Sequence, residues 1–499
     1  MPLVLIDLEG PTLTPDERAV LANEPVAGLC LFARNVPDRA RARDLVADAR
    51  SAAGRPLLVT IDQEGGGVVR LTDGAIPPAA MALGAVDDVA TTEAVAAATA
   101  RSLRTIGVDV DFAPVADVAL DPRNPVIADR AFGADPALVA RHVAAFVRGL
   151  QEAGVAATLK HFPGHGDVAV DSHLDLPRLD VDRDRLERVE WVPFRAGIAA
   201  GAAAVMTAHL LVPALDPERP ATMAPAAIAA LRTALGFDGV VFSDALNMSA
   251  IADRWPAPEA AVRAVAAGVD APLLCGSLDE HVAVLAALAA AEHDGRLDPA
   301  ALAASRARLA HLAATYPPGP HPEDTETDRA LMAAVARRAV VTFGTPPRLA
   351  PGATVAVLGA ETVQASAATD VAARPTAALV DALREDGFTT RWVAGVAGPS
   401  ALDDALRGAA ALLVVTADRV PLTPDAVSAA RGAFARATAR GVPAVHVALW
   451  NPAHVAALPG PAIASFGFRA DAVRAAIHAL RTGEAPGRSP MPVKPWSEA

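Results

Sequence analysis

The chain has 499 residues, enough for more than one domain, with 52% hydrophobic and 20% charged residues, an ordinary globular balance. A net charge of -13 argues against general nucleic-acid binding, and two cysteines, Cys30 and Cys275, both inside apolar runs, read as buried free thiols rather than a disulfide framework. Arg, Asp and Glu interrupt the alanine-rich stretches, so no apolar run is long enough to span a membrane, and a soluble, cytoplasmic protein is expected.

In chain order, MPLVLIDLEG lacks a basic leader and is broken by Asp7, so it reads as a first strand rather than a signal peptide. Seven more apolar runs follow, at 26–35, 56–66, 107–118, 155–164, 203–212, 239–248 and 271–276. Helical stretches such as RARDLVADAR and LVARHVAAFVRGLQEAG separate most of them. Continuous apolar strands alternating with helices predict a parallel sheet, and eight of them predict a TIM-type (β/α)8 barrel over residues 1–314. Arg34, Asp62, Glu64, Asp117, Lys160, His161, His209 and Asp244 fall at or near the C-terminal ends of these runs, where such barrels build active sites.

A Pro-rich, acidic linker is expected over 315–335, and a C-terminal α/β sandwich domain over 336–499. Strand-like runs lie at 353–359, 410–417 and 442–450, with helices at 376–387 and 425–441, each ending at a Gly. VAVLGAE lacks a dinucleotide fingerprint, and no cofactor is assigned.

The segment KHFPGHGDVAVDSH (160–173) concentrates histidines, aspartates and glycines. Lys160 is one of only two lysines, the other being Lys494, in a chain whose positive charge is otherwise arginine. A metal is not expected. His161, His165, His173 and His209 lack the His-x-His pair of barrel metallohydrolases, and the loop would leave ligands on a turn. Acid–base chemistry fits better. Asp244, in VVFSDALNM, is a lone carboxylate at a strand end, suited to a nucleophile. Asp171-Ser172-His173 places a carboxylate two residues before an imidazole, so Asp171 could hold one ring N–H and raise the basicity of His173; taken alone, Asp171 and Ser172 would read as a turn or cap.

KHFPGHGDVAVDSHLDLP resembles the signature of glycoside hydrolase family 3 β-N-acetylglucosaminidases of the bacterial muropeptide-recycling type, and VTIDQEGGGVVRL, NPVIADRAFG, MTAHLLVP and FSDALNM follow in the family's order. The likeness covers about residues 1–315 and more loosely the second domain, through LWNPAHV and SFGF. It implies that Asp244 is the nucleophile, His173 the acid/base and Asp171 its orienting partner. It further implies sugar-binding roles for Asp62, Arg70, Arg130, Lys160 and His161. Gly67 departs from the family's usual Arg and bears on local loop structure only.

The expected activity is that of a retaining exo-β-N-acetylglucosaminidase acting on GlcNAc-capped cell-wall fragments, with no metal and no nucleic-acid or membrane partner. The rivals are a family 3 β-glucosidase, a GlcNAc phosphorylase, a barrel metallohydrolase and a non-catalytic sugar binder. The phosphorylase follows from charge: a neutral His173 after proton transfer would not repel phosphate, whereas an anion at about 4 Å would cost about 4 kcal/mol at an effective dielectric near 20. Arg70, Arg130 and Lys160 are expected to add an electropositive lining.

Overall fold

The computed structural model describes residues 3–169, 171–172, 174–319, 325–362, 374–395 and 399–493. His173 and Lys494 lie outside these residues. Eight strands close a barrel in sequence order: β1 (Val4–Ile6), β2 (Val26–Leu31), β3 (Leu58–Ile61), β4 (Val110–Asp111), β5 (Ala156–Phe162), β6 (Ala204–Thr207), β7 (Val240–Ala245) and β8 (Ala271–Leu274). Every neighbouring pair is parallel, and β1 pairs with β8 to close the ring. Parallel strands covered by crossover helices are buried on both faces, which is why the runs are continuously apolar. Phe112 and Phe242 meet edge-on inside, with ring centres 5.4 Å apart. Outside, Phe162 stacks on Trp191 and meets Phe194 edge-on, fixing the helix Trp191–Ala199 against β5.

The second sheet has the order β11-β10-β12-β13-β14-β9. Its strands are β9 (Val341–Phe343), β10 (Thr354–Gly359), β11 (Thr389–Ala394), β12 (Ala411–Thr416), β13 (Ala444–Ala448) and β14 (Ala462–Ala464). All pairs are parallel except β14 with β9. The three anticipated strands are β10, β12 and β13; β9, β11 and β14 were not anticipated. Two of the latter have three residues each, and β11 alternates Thr, Arg and Trp at a sheet edge.

The stretch expected as linker is a helix from its middle on, Glu326–Ala339. Thr325 caps it, with reciprocal bonds to Asp328, and Asp328 also pairs with Arg101 of the barrel. Glu326 and Asp328, two of the acidic residues in the stretch expected as linker, stand in the first turn of this helix.

The two domains share a core. Met81, Ala82, Ala85, Val115 and Val126 of the barrel pack with Ala339, Val341, Ala448, Val455 and Phe466. Backbone bonds sew the contact: Arg488 N–H to Ala85 O at 2.9 Å and Ala134 N–H to Pro490 O at 2.9 Å. Among the described residues no helix is long and apolar enough to cross a membrane.

Candidate active site

The loops after β3, β4, β5 and β7 surround a cavity of about 290 Å³ at the C-terminal end of the barrel. Asp62, Arg70, Arg130, Lys160, His161 and Asp244 all line it, as do Glu64, His165 and Ser172. Two glycines let these loops approach. A Cβ on Gly65, whose φ is 105°, would sit 2.1 Å from Pro78 O; one on Gly166, in the PGHGD turn, would sit 1.8 Å from Val118 O. Neither position admits a side chain without moving backbone.

The floor is a chain of buried charges. Lys160 Nζ lies 2.6 Å from Asp62 Oδ1 and 2.5 Å from Glu64 Oε1. Arg130 grips Glu64 with two bonds of 2.8 Å each. Arg130 Nη2 also stands 3.2 Å from His161 Nε2, and His161 Nδ1 stands 2.7 Å from Asp117 Oδ2. A guanidinium can only donate, so His161 Nε2 accepts and Nδ1–H donates to Asp117. Asp117 further accepts from the backbone N–H of His165 at 2.7 Å, tying the PGHGD turn to the same chain.

The charges hold one another ionised. Burial alone would raise the Glu64 carboxyl, but Arg130 and Lys160 outweigh it and hold the group well below the usual carboxylate range. Burial would likewise lower Lys160, and Asp62 with Glu64 raise it instead. Beneath them Asp111, fully buried on β4, is pushed up to about 8, chiefly by burial. A sugar hydroxyl entering here meets donors and acceptors that are already fixed in place.

Asp244 lies at the end of β7, with Oδ1 accepting from Ala245 N–H at 2.8 Å. His209 braces that strand end: its ring nitrogens lie 2.9 Å from Thr222 Oγ1 and 2.9 Å from Ala245 O. Arg34 is structural, bonded to Leu8 O at 2.9 Å and paired with Asp7. Asp171 is half-buried, outside the cavity lining, and its carbonyl accepts from Leu174 and Asp175, a turn. Ser172, next to it, is buried and lines the cavity, and its carbonyl accepts from Ala250 N–H at 3.3 Å just past β7. His173, expected as acid/base, lies outside the described residues.

Glu64 and Asp117 were visible only as polar strand ends; their pairing with Lys160, Arg130 and His161 joins strands far apart in sequence. His165 is buried, with burial bringing its imidazole down to about 4, and neither ring nitrogen has a hydrogen-bond partner among the described residues. Among the described residues the electropositive lining does not form: Arg70, Arg130 and Lys160 share the cavity with Asp62, Glu64 and Asp244, and each cation has a carboxylate beside it. Among the described residues, no three His, Cys, Asp or Glu side chains converge as a ligand set.

The family profile "Glycosyl hydrolase family 3 N terminal domain" matches residues 3–312. The chain is 44% identical over 281 residues to a β-hexosaminidase of Stenotrophomonas maltophilia strain K279a, covering 55% of this chain and 83% of that one. It is 41% identical over 309 residues to a β-hexosaminidase of Xanthomonas oryzae pv. oryzae, covering 60% and 90%. A solved family 3 β-N-acetylglucosaminidase from Paenibacillus sp. str. FPU-7 superposes with a TM-score of 0.91 at 32% identity, over 99% of this chain and 98% of that one. The chain belongs to glycoside hydrolase family 3 and is a glycosidase.

Proposed function

We propose that this glycosidase is a retaining exo-β-N-acetylhexosaminidase that removes terminal β-linked GlcNAc from cell-wall (muropeptide) fragments. The observation that carries the reading is that Asp244 shares one cavity with the charged cradle of Asp62, Glu64, Arg130, Lys160 and His161. The names of the hexosaminidase relatives support the sugar.

In this reading Asp244 Oδ attacks the anomeric carbon as the bond to the leaving oxygen breaks. His173 gives that oxygen its proton, and Asp171 orients the imidazole. The cleaved fragment departs, leaving a glycosyl ester on Asp244. His173, now neutral, takes a proton from water, whose oxygen attacks the anomeric carbon and frees Asp244. An Asp–His pair thus fills the place held by a second carboxylate in most retaining enzymes. Ser172, between the two, lines the cavity, which supports a dyad at its rim. Asp62, Arg70, Arg130, Lys160 and His161 hold hydroxyl and acetamide groups.

Asp244→Ala should lose nearly all activity, and a slow fluorinated GlcNAc analogue should add one glycosyl mass to the wild-type protein on an Asp244 peptide. Aryl β-GlcNAc should be cleaved far faster than aryl β-glucoside. Labelling that persists in Asp244→Ala would overturn the nucleophile, and equal rates on both sugars would overturn the specificity.

A further inference from the structure

One hairpin carries Asp62, Glu64 and Arg70 into the cavity. It spans residues 62–71, just past β3, and Val68 of the same hairpin also lines the pocket. The hairpin is rigid within itself. Gly65 and Val68 exchange backbone bonds of 3.1 and 3.0 Å. Gln63 closes its base: Oε1 accepts from the backbone N–H of Arg70 at 2.9 Å and of Leu71 at 3.1 Å, and Nε2 donates to Leu71 O at 2.9 Å. Such a unit shifts as one body, so an anchor at its tip bears on every side chain it carries.

The tip is Gly66. Its φ is 56°, and a Cβ there would lie 2.6 Å from the Ala79 Cβ, so only glycine fits and its peptide is fixed in direction. Its N–H donates to Pro77 O at 3.1 Å, within the barrel. Its carbonyl is held from the other domain, where Arg469 Nε donates to it at 2.7 Å.

Arg469 is badly placed for any local purpose. It stands at the N-cap of the helix Ala470–Thr482 and makes no side-chain capping bond there. Ser, Thr, Asp or Asn would satisfy the free N–H groups at that position. A cation at a helix N-terminus also opposes the helix dipole. Its Nη2 is buried with no hydrogen-bond partner among the described residues. Burial and the like charge of Arg70 both disfavour its charged form. Sequences break such local rules chiefly where a site needs it. The bond to Gly66 O is what this side chain gains.

We propose that Arg469 is a positioning residue for sugar binding, through which the second domain orients the hairpin that carries Asp62, Glu64 and Arg70. The proposal rests on the reading that GlcNAc occupies this cavity, and it is independent of which residue supplies the proton.

The test uses the full chain and measures KM for an aryl β-GlcNAc together with the inhibition constant of free GlcNAc. Arg469→Met removes the donor and should raise both roughly tenfold, the low end for a hydrogen bond from a charged donor, with kcat little changed. Gln carries an amide N–H on the same carbon, Cδ, that bears Arg469 Nε, so Arg469→Gln should stay near wild type. Arg338→Met breaks other bonds to the barrel, to Thr91 Oγ1 and Asp88 Oδ2 at 2.9 Å each, and should leave both constants unchanged. Arg469→Leu takes the place of the Met variant should that one fail to fold, with melting curves as the check. Unchanged constants in Arg469→Met, an equal rise in Arg469→Gln, or an equal rise in Arg338→Met would each overturn the proposal. Asp62→Ala separates it from the reading beneath it. If the GlcNAc inhibition constant stays the same there, the sugar does not sit on this hairpin and both ideas fall. If it rises there but not in Arg469→Met, only Arg469 is refuted.

Discussion

Both sheets of this molecule end their parallel strands at a cavity, and the two cavities differ in kind. At the barrel mouth, Asp62, Glu64, Arg70, Arg130, Lys160 and Asp244 face one another. In the second domain a cavity of about 190 Å³ lies between the ends of β10 and β12, where the strand order reverses. That is where doubly wound sheets usually bind ligands. Its lining is Leu358, Gly359, Thr376, Val414, Leu422 and similar residues, with Asp418 the sole charged side chain among the described residues. Near it Thr416 Oγ1 lies 2.8 Å from His446 Nε2 and 3.2 Å from His454 Nδ1, while His446 Nδ1 has no hydrogen-bond partner among the described residues. Topology offers a crevice twice, and among the described residues charge arms only the one in the barrel.

The sharpest way to break this contrast is to unbalance the barrel. Lys160→Met removes the cation between Asp62 and Glu64, and breaking a buried pair this way costs about 3–5 kcal/mol. Denaturant midpoints should fall accordingly and activity should largely vanish. Thr416→Val, in the neutral network, should cost about 1–3 kcal/mol as an unsatisfied buried hydrogen bond and leave turnover unchanged. Equal costs and equal activities would dissolve the distinction.

A subtler probe is pH, where the two regions should respond in opposite senses. His446 is brought down to about 3, chiefly by burial, against an ordinary 6.5. Its contribution to stability is present above 6.5 and lost as pH falls toward 3. Asp111 is pushed up to about 8 against 3.8, so its contribution is present below 3.8 and lost as pH rises through 8. Each slope can reach about 1.4 kcal/mol per pH unit. Stability measured by urea between about pH 3 and 8 should lose part of its rise with pH in His446→Asn and part of its fall with pH in Asp111→Asn. Unchanged slopes would show that these groups do not titrate with folding.

The smallest effect concerns the acceptor. The cations of the barrel cavity already have carboxylate neighbours, so the electropositive lining that would draw in phosphate is missing. In millimolar phosphate, phosphorus NMR should show GlcNAc-1-phosphate as a minor product at most, with the rate nearly independent of phosphate. Phosphate ester as the main product would mean that the neutral imidazole alone admits the anion.

The barrel was legible because a strand buried on both faces must be apolar throughout, and all eight runs stood out on that ground. The run at 107–118 shows the limit: only Val110–Asp111 is strand, and the rest is loop that delivers Asp117 to His161. β9 and β14 were hidden because three residues carry too little pattern, and β9 owes its place to pairing with β14. In the site, Asp62, Lys160 and Asp244 were readable as polar residues at strand ends. The grip of Arg130 on Glu64 was not, since it spans 66 residues and depends on how the barrel closes. The bond from Arg469 to Gly66 O was invisible for a stronger reason: its partner lies 403 residues away, in the other domain.

The shared apolar cluster of Met81, Val115, Val126, Val341, Ala448 and Phe466 also bears on how the molecule behaves in solution. Neither domain finishes its own surface there. A barrel cut free of its partner would present these side chains to water as one contiguous patch, the kind that drives self-association. The two domains should therefore unfold together in a denaturant titration. Loosening the sandwich would surface not as a floppy appendage on a working enzyme but as precipitation of the whole chain.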